Sequence, residues 1–409
     1  MLIPVAAALV SPLQGNSIVA TQALRAPLAD LQPDAARTRL PAVTVRVTDC
    51  SAMESPNARQ AWDSLANAAS QPNPFFESWY LLPSLRAFDP DQSVSLLCAE
   101  HDGALLGLIP VRSERRYYGK PIPHLATWLH PNSFLGAPLV HAGQEHSFWR
   151  ALLQWADKQG GSALFLHLAQ VPLEGALYTA LRDVLAEQGR FAALVHREDR
   201  AMLASQLQPD AYLEAALSGK KRKELRRQFS RLSELGAVKF ERRTDAVELE
   251  RWIDEFLALE HSGWKGSAGS ALASHQSTAR LFREALAGAA ANGRLERLTL
   301  TLDGDPLAML ASFLTPPGAF SFKTAFDERF SRFSPGVLLQ RENLAMLDHP
   351  DVQWTDSCAA ADHPMIDHIW RERRSIGHIS IAIGGPARRL GFRLIAKAEL
   401  GRNPAGLTL

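Results

Sequence analysis

Val43, Val45 and Val47 alternate with polar residues, and this period of two predicts a strand. Two apolar runs, Val94–Ala99 and Ala104–Val111, flank Asp102-Gly103, a combination that predicts a hairpin. Ahead of them, Asn73-Pro74 opens an aromatic helix over Phe75–Leu82. From Arg115 to Leu139 the chain is rich in Pro, Gly, Tyr and His and reads as long loops. A helix over Glu145–Gln159, a strand over Ala163–Leu168, a helix over Leu173–Glu187 and a strand over Phe191–His196 follow. This alternation predicts an α/β unit.

The second half repeats the style. Pro209–Gly236 reads as helical, with Leu225, Phe229 and Leu232 on one stripe and Gly236 just past its end. Val238 and Phe240 mark a short strand. Asp245 and Glu248 read as an approximate capping box for a helix carrying Trp252, Ile253, Phe256 and Leu257. A Gly/Ser-rich loop at 263–269 precedes a helix ending at Asn292-Gly293. Leu295–Leu302 and Leu307–Leu314 form a second hairpin around Asp303-Gly304, and Pro316-Pro317-Gly318 turns into a strand with Phe320 and Phe322 at period two. Ser334-Pro335-Gly336, followed by Val337, Leu338 and Leu339, is a helix start with Ser334 as its cap. A strand over Val352–Ser357, a helix over Met365–Arg373 and a strand over Gly377–Ile383 close the pattern. One Asp-Gly hairpin in each half suggests a tandem: a poorly ordered leader at 1–42, domains at 43–200 and 201–385, and a tail at 386–409.

Composition narrows the function classes. In 409 residues, 46% hydrophobic and 21% charged content is ordinary for a globular chain, and the net charge of +1 offers no global attraction to DNA. Three cysteines, Cys50, Cys98 and Cys358, have no metal-ligand spacing, which argues against a disulfide framework or a metal site. No apolar run approaches membrane-spanning length. These features together suggest a cytoplasmic protein.

Candidate chemistry gathers between residues 260 and 363. Lys323 sits among Phe320, Phe322 and Phe326, where its ammonium would be partly desolvated. Asp327 and Arg332 lie between that strand and the helix at Ser334, and Asp356 ends a strand. Amides after Ser334 could hold an anion with help from the helix dipole. Trp264 and Lys265 occupy a loop able to fold over a substrate, with His261 at the preceding helix end. The run from Lys220 to Arg231 carries seven basic residues against Glu224; a solvated helix face is its plainest reading, and a phosphate grip is the other.

Trp264-Lys-Gly, Phe322-Lys-Thr-Ala-Phe-Asp327, Phe333-Ser-Pro-Gly-Val-Leu-Leu339, Asp356-Ser-Cys-Ala359 and His363-Pro-Met-Ile366 stand in an order that resembles one family. These are the acetyltransferase-like proteins of cellulose and exopolysaccharide biosynthesis, in the GNAT superfamily, distantly similar to Fem-type peptidoglycan aminoacyltransferases. The resemblance spans about residues 43–385. It implies an α/β (α+β) fold of two GNAT-like domains, each a mixed twisted sheet flanked by helices. It also implies acetyl-CoA or another acyl-CoA as donor and a sugar or amine acceptor. Arg332-Phe-Ser-Pro-Gly336 stands where the superfamily carries Arg-x-x-Gly-x-Gly. On this reading Arg332, Ser334, Pro335, Gly336 and Val337 hold the pyrophosphate, and Asp327 or Asp356 is the base. Lys323 stabilises the thioester oxygen or holds the acceptor, while His261, Trp264, Lys265 and His363 line the acceptor side. A transferase using charged tRNA, or a binding protein that kept the fold, are the alternatives.

Overall fold

The computed structural model describes residues 43–361, 363, 365–401 and 407–408; the leader expected at 1–42 lies outside them. The first half contains β1 (Thr44–Thr48), α1 (Pro56–Asn67), α2 (Ser78–Phe88), β2 (Val94–His101), β3 (Ala104–Glu114), β4 (His124–Thr127), β5 (Leu139–Val140), α3 (Glu145–Gln159), β6 (Phe165–Pro172), α4 (Gly175–Glu187) and β7 (Ala192–Leu203). The second contains α5 (Pro209–Ala216), α6 (Gly219–Ser233), β8 (Val238–Arg243), α7 (Leu249–Ser262), α8 (Trp264–Ser267) and α9 (Gln276–Ala291). It continues with β9 (Leu295–Leu302), β10 (Asp305–Thr315), β11 (Gly318–Phe326), α10 (Pro335–Glu342), β12 (Trp354–Asp356), β13 (Glu372–Ala382) and α11 (Pro386–Leu400). This is the mixed α/β architecture expected, with helices flanking one large sheet.

Both Asp-Gly hairpins form, with Asp102, Gly103, Asp303 and Gly304 all at positive φ, as tight turns of this hand require. The sheet order is β1-β2-β3-β4-β6-β13-β7-β12-β11-β10-β9-β8. Read inward from each edge, the halves match. An antiparallel meander (β1–β4, or β8–β11) ends in a parallel pair, β4 with β6 or β11 with β12. At the centre they exchange strands: β6 is bordered by β13 from the second half, and β12 by β7 from the first. The long β13–β7 ladder then joins them. The boundary expected at 200/201 therefore falls inside β7.

Aromatic side chains fill the seam. Phe75 meets Phe320 edge-on at 5.8 Å, Trp79 meets Phe313 at 4.9 Å, and Tyr80 meets Phe322 at 5.7 Å. Such pairs add about 0.5–1.5 kcal/mol each beyond their burial. Helix α9 lies against α2 closely enough that a Cβ on Gly288 would stand 2.9 Å from that of Trp79, so a larger residue there would push the helices apart.

Several local expectations need correction. The capping box does not form: Glu248 is left-handed, and Asp245 accepts from Val247 N–H while pairing with Arg243 and Arg297. The helix expected at 365–373 is a series of turns before β13. The expected tail instead forms α11 over 386–400, which buries Phe392 and Ala396 against Phe165 and its neighbours. A short strand, β4, emerges from the stretch read as loops.

Candidate active site

Strands β11 and β12 pair only over Gly318–Phe320 and Trp354–Asp356, after which β11 runs on with β10 as its one partner. Just past the parting, β11 bulges. Ala311 of β10 faces Lys323 and Ser312 faces Ser321, leaving Phe322 as the extra residue. The bulge sets Lys323 beside the gap. Its ammonium lies 4.9 Å from the Phe134 ring centre and 5.5 Å from that of Phe322. Burial, and then the neighbouring Lys265, lower its pKa to about 8; Glu260 and Cys358 oppose the shift.

The elements around it come from both halves. Lys265 donates to Glu260 at 2.8 Å and to the Thr324 carbonyl at 3.4 Å, so α8 is latched onto β11. Glu260, buried on α7, also accepts from Leu272 N–H. From the first half come Phe134 and His130, the latter between Phe88 at 4.6 Å and Tyr80 at 6.1 Å. The His130 Nδ1 accepts from Asn132 N–H, while burial and then Lys323 push its pKa down to about 3. This imidazole is neutral at physiological pH.

Asp356 is completely buried and accepts from Arg200 and Arg374, each at 2.8 Å, and from Cys358 N–H at 2.9 Å. Burial alone would raise its pKa, but the two guanidiniums outweigh burial and hold it below the ordinary value. Asp356 is thus the centre of an Arg–Asp–Arg triad. Cys358, left-handed at φ 53° and buried, has its thiol pushed well above the usual range, first by burial and then by Asp356.

The other expected residues lie elsewhere. Asp327 is clamped by Arg329 through its backbone and guanidinium, at 2.6–3.0 Å, and that contact lowers its pKa. With Arg332 it lines a separate cavity of about 700 Å³ between α7 and the β9–β10 turn. Ser334 stands at the start of α10 in the left-handed region, with no side-chain cap bond; its carbonyl accepts from Val337 and Leu338 N–H instead. Pro335 and Gly336 are buried, and a Cβ on Gly336 would lie 2.9 Å from the Met365 sulfur. Met365 therefore packs against the start of α10 on the side where a Gly336 side chain would lie. Trp264 is 59% exposed, and its N–H donates to Glu328. His261 is exposed at the end of α7, and His363 turns back through its N–H to Ala360 O.

Of the expected set, then, Lys323 and Lys265 come together, while Asp356 is held by Arg200, Arg374 and the Cys358 N–H. The sequence does not single out Tyr80, His130, Phe134, Arg200 or Arg374 as site residues. The Pro/His-rich composition of 115–139 was the one signal for His130 and Phe134, since site residues often ride on such loops. Among the described residues no helix is long and apolar enough to cross a membrane.

No curated protein matches the chain. Among solved structures, FemX has a TM-score of 0.51 at 10% identity, over 81% of this chain and 98% of its own. A conserved protein of unknown function from Bacteroides thetaiotaomicron has a TM-score of 0.54 at 11% identity, over 83% of this chain and 100% of its own. Residues 219–363, which hold Lys265, Lys323 and Asp356, match the family model described as an acetyltransferase (GNAT) domain, on a fold that the chain shares with FemX.

Proposed function

We propose that the protein is an acyl-CoA-dependent acyltransferase that modifies a sugar or amine precursor in cytoplasmic steps of exopolysaccharide or cell-envelope synthesis, on two GNAT-like halves. The observation that carries this reading is Lys323, an ammonium held at a strand bulge over two rings, at the parting of two parallel strands. In acyl transfer the acceptor nitrogen attacks the thioester carbon, the C–N bond forms, and negative charge grows on the carbonyl oxygen. A desolvated ammonium beside that oxygen stabilises it far more than one in water. As the C–S bond breaks, the proton lost by the nitrogen is balanced by the departing thiolate. Asp356 and Asp327, both ion-paired and with lowered pKa values, fit poorly as bases at neutral pH. Asp356 suits a positioning role, holding Arg200 and Arg374 behind the site. The test is thiol release from a panel of acyl-CoA donors with amine and amino-sugar acceptors. Activity that Lys323→Ala abolishes, without loss of fold, supports the reading; full activity in that variant sinks it.

A second reading, transfer from a charged tRNA, is favoured by α6. Lys220, Lys221, Lys223, Arg226 and Arg231 are exposed along it, and the ion pair on its surface is Arg227 with Glu224. Helix α6 also touches the turn ahead of α10, where Gln228 donates to Arg332 O. An aminoacyl-tRNA donor that is consumed when acyl-CoA is not would establish this alternative.

A further inference from the structure

Helix α11 buries Phe392 and Ala396 against Phe165 and Ala193 of the sheet. Its opposite side carries Ala387, Leu390, Leu394 and Ala398, at a spacing that aligns them in one stripe. All four are exposed, Leu390 at 59% and Leu394 at 63%. An apolar stripe of this kind, left in water, marks a contact surface.

The element beside it is the turn after β3. Tyr117 and Lys120 exchange backbone hydrogen bonds at 2.9 and 3.0 Å around Tyr118-Gly119, whose φ angles of 46° and 77° suit a two-residue hairpin turn. Positive φ is uncommon for a bulky residue, and Tyr118 is nevertheless held there, 72% exposed. Tyr117 ties the turn to α11 by donating its O–H to Glu399 at 2.9 Å. Between turn and helix opens a cavity of about 480 Å³, walled by Tyr117, Tyr118, Ile122, Ile395 and Ala398. Ala398 belongs to both, so the stripe runs on into an apolar recess.

Charge decides the partner. Arg115, Arg116 and Lys120 on the turn, and Arg393 and Lys397 on α11, are exposed and form no ion pair among the described residues. Arg393 lies instead over the Phe191 ring at 5.4 Å. The acids of these two segments are already engaged, Glu114 by Arg112 and Glu399 by Tyr117. Unpaired cations around exposed leucines and a tyrosine suit a layer of anionic headgroups. Lys and Arg meet the phosphates, leucines enter the acyl boundary, and tyrosine rests at headgroup level. A second copy of the chain, seated symmetrically on the same patch, would bring the same cations against their own kind.

We infer that α11 and the Tyr118 turn form a docking surface for an anionic lipid membrane, with Leu390 and Leu394 in the acyl boundary and the five cations on lipid phosphates. None of these residues belongs to the Lys323 site, so the inference stands apart from the acyl-transfer reading. The test is sedimentation of the full chain with vesicles of phosphatidylcholine alone and of phosphatidylcholine mixed with phosphatidylglycerol. Binding to the mixed vesicles should weaken as salt rises, and binding to phosphatidylcholine alone should be weaker by about tenfold or more. The triple variant Arg115→Gln/Arg116→Gln/Lys120→Gln should lose about fivefold per charge, while Arg115→Lys/Arg116→Lys should bind as wild type does. Leu390→Asp/Leu394→Asp should lose about tenfold or more. These positions are exposed, so thermal unfolding of each variant should match wild type, and Lys323→Ala should bind vesicles unchanged. No binding to the mixed vesicles at low salt overturns the inference and leaves the face to a protein partner. Equal binding to both vesicle types, or unchanged binding in the glutamine or aspartate variants, overturns it as well. So does a wild-type dimer that Leu390→Asp/Leu394→Asp dissociates, which would assign the face to a second copy.

Discussion

The ammonium of Lys323 lies 4.9 Å from the ring centre of Phe134, which joins a charge from the second half to an aromatic face from the first. Cation–π contact contributes about 0.5–2 kcal/mol, less than full hydration or an ion pair would. The residue is therefore held in its charged form at a cost, a usual condition for groups that act on a substrate.

That cost has a pH signature. Because the folded pKa of about 8 is below the ordinary 10.5, the unfolded chain binds the extra proton between these values, and stability gained through Lys323 rises with pH across that window. Lys323→Met should stabilise the fold at pH 7 by on the order of 1–3 kcal/mol. The difference from wild type should shrink as pH climbs from about 8 towards 10. Urea unfolding of both proteins at a series of pH values checks this. A difference that does not vary with pH would mean that Lys323 is fully hydrated.

Asp356→Asn should behave as a core lesion. It leaves Arg200 and Arg374 buried without their counter-charge, and breaking a buried pair in this way costs about 3–5 kcal/mol. Since the folded pKa is lowered, the stabilisation is present at neutral pH and is lost as the solution is acidified below the ordinary carboxylate value of 3.8. Denaturant midpoints measured on the variant decide the matter. Unchanged stability with abolished turnover would return Asp356 to a catalytic role.

Met365 covers Gly336. If the start of α10 holds the pyrophosphate of the donor, Met365→Ala opens space beside Gly336 and should tighten coenzyme A binding by about tenfold, the worth of one hydrogen bond to a charged group. Calorimetry with coenzyme A reads this directly. An unchanged affinity would move the pyrophosphate to another surface.

For the charged-tRNA reading, α6 should carry salt-dependent RNA binding. Replacing Lys220, Lys221 and Lys223 with alanine should lower the slope of log K against log salt by about 2–3. No RNA binding at low salt would leave the basic face as an ordinary solvated surface.

Much of the architecture was legible in local pattern. The two Asp-Gly turns, the helix at 145–159 and the strand through Phe320 and Phe322 follow from periodicity and turn chemistry acting over a few residues. Lys323 could be singled out because three phenylalanines within three positions of it forecast desolvation. Caps were less legible: Ser334 and Glu248 occupy helix starts, yet each takes a left-handed backbone and its side chain forms no cap bond.

What only the tertiary structure decided is who meets whom over long separations. β7 and β13 are exchanged between the halves, and Arg200 reaches Asp356 across 156 positions of sequence. Nothing within a few residues of either encodes that meeting, because strand order is chosen by the burial of whole faces. The sequence determined that a desolvated lysine would stand beside a strand end. The packing of two halves decided that its neighbours are Phe134, His130 and Lys265, and that the strand-end carboxylate Asp356 is already held by two arginines.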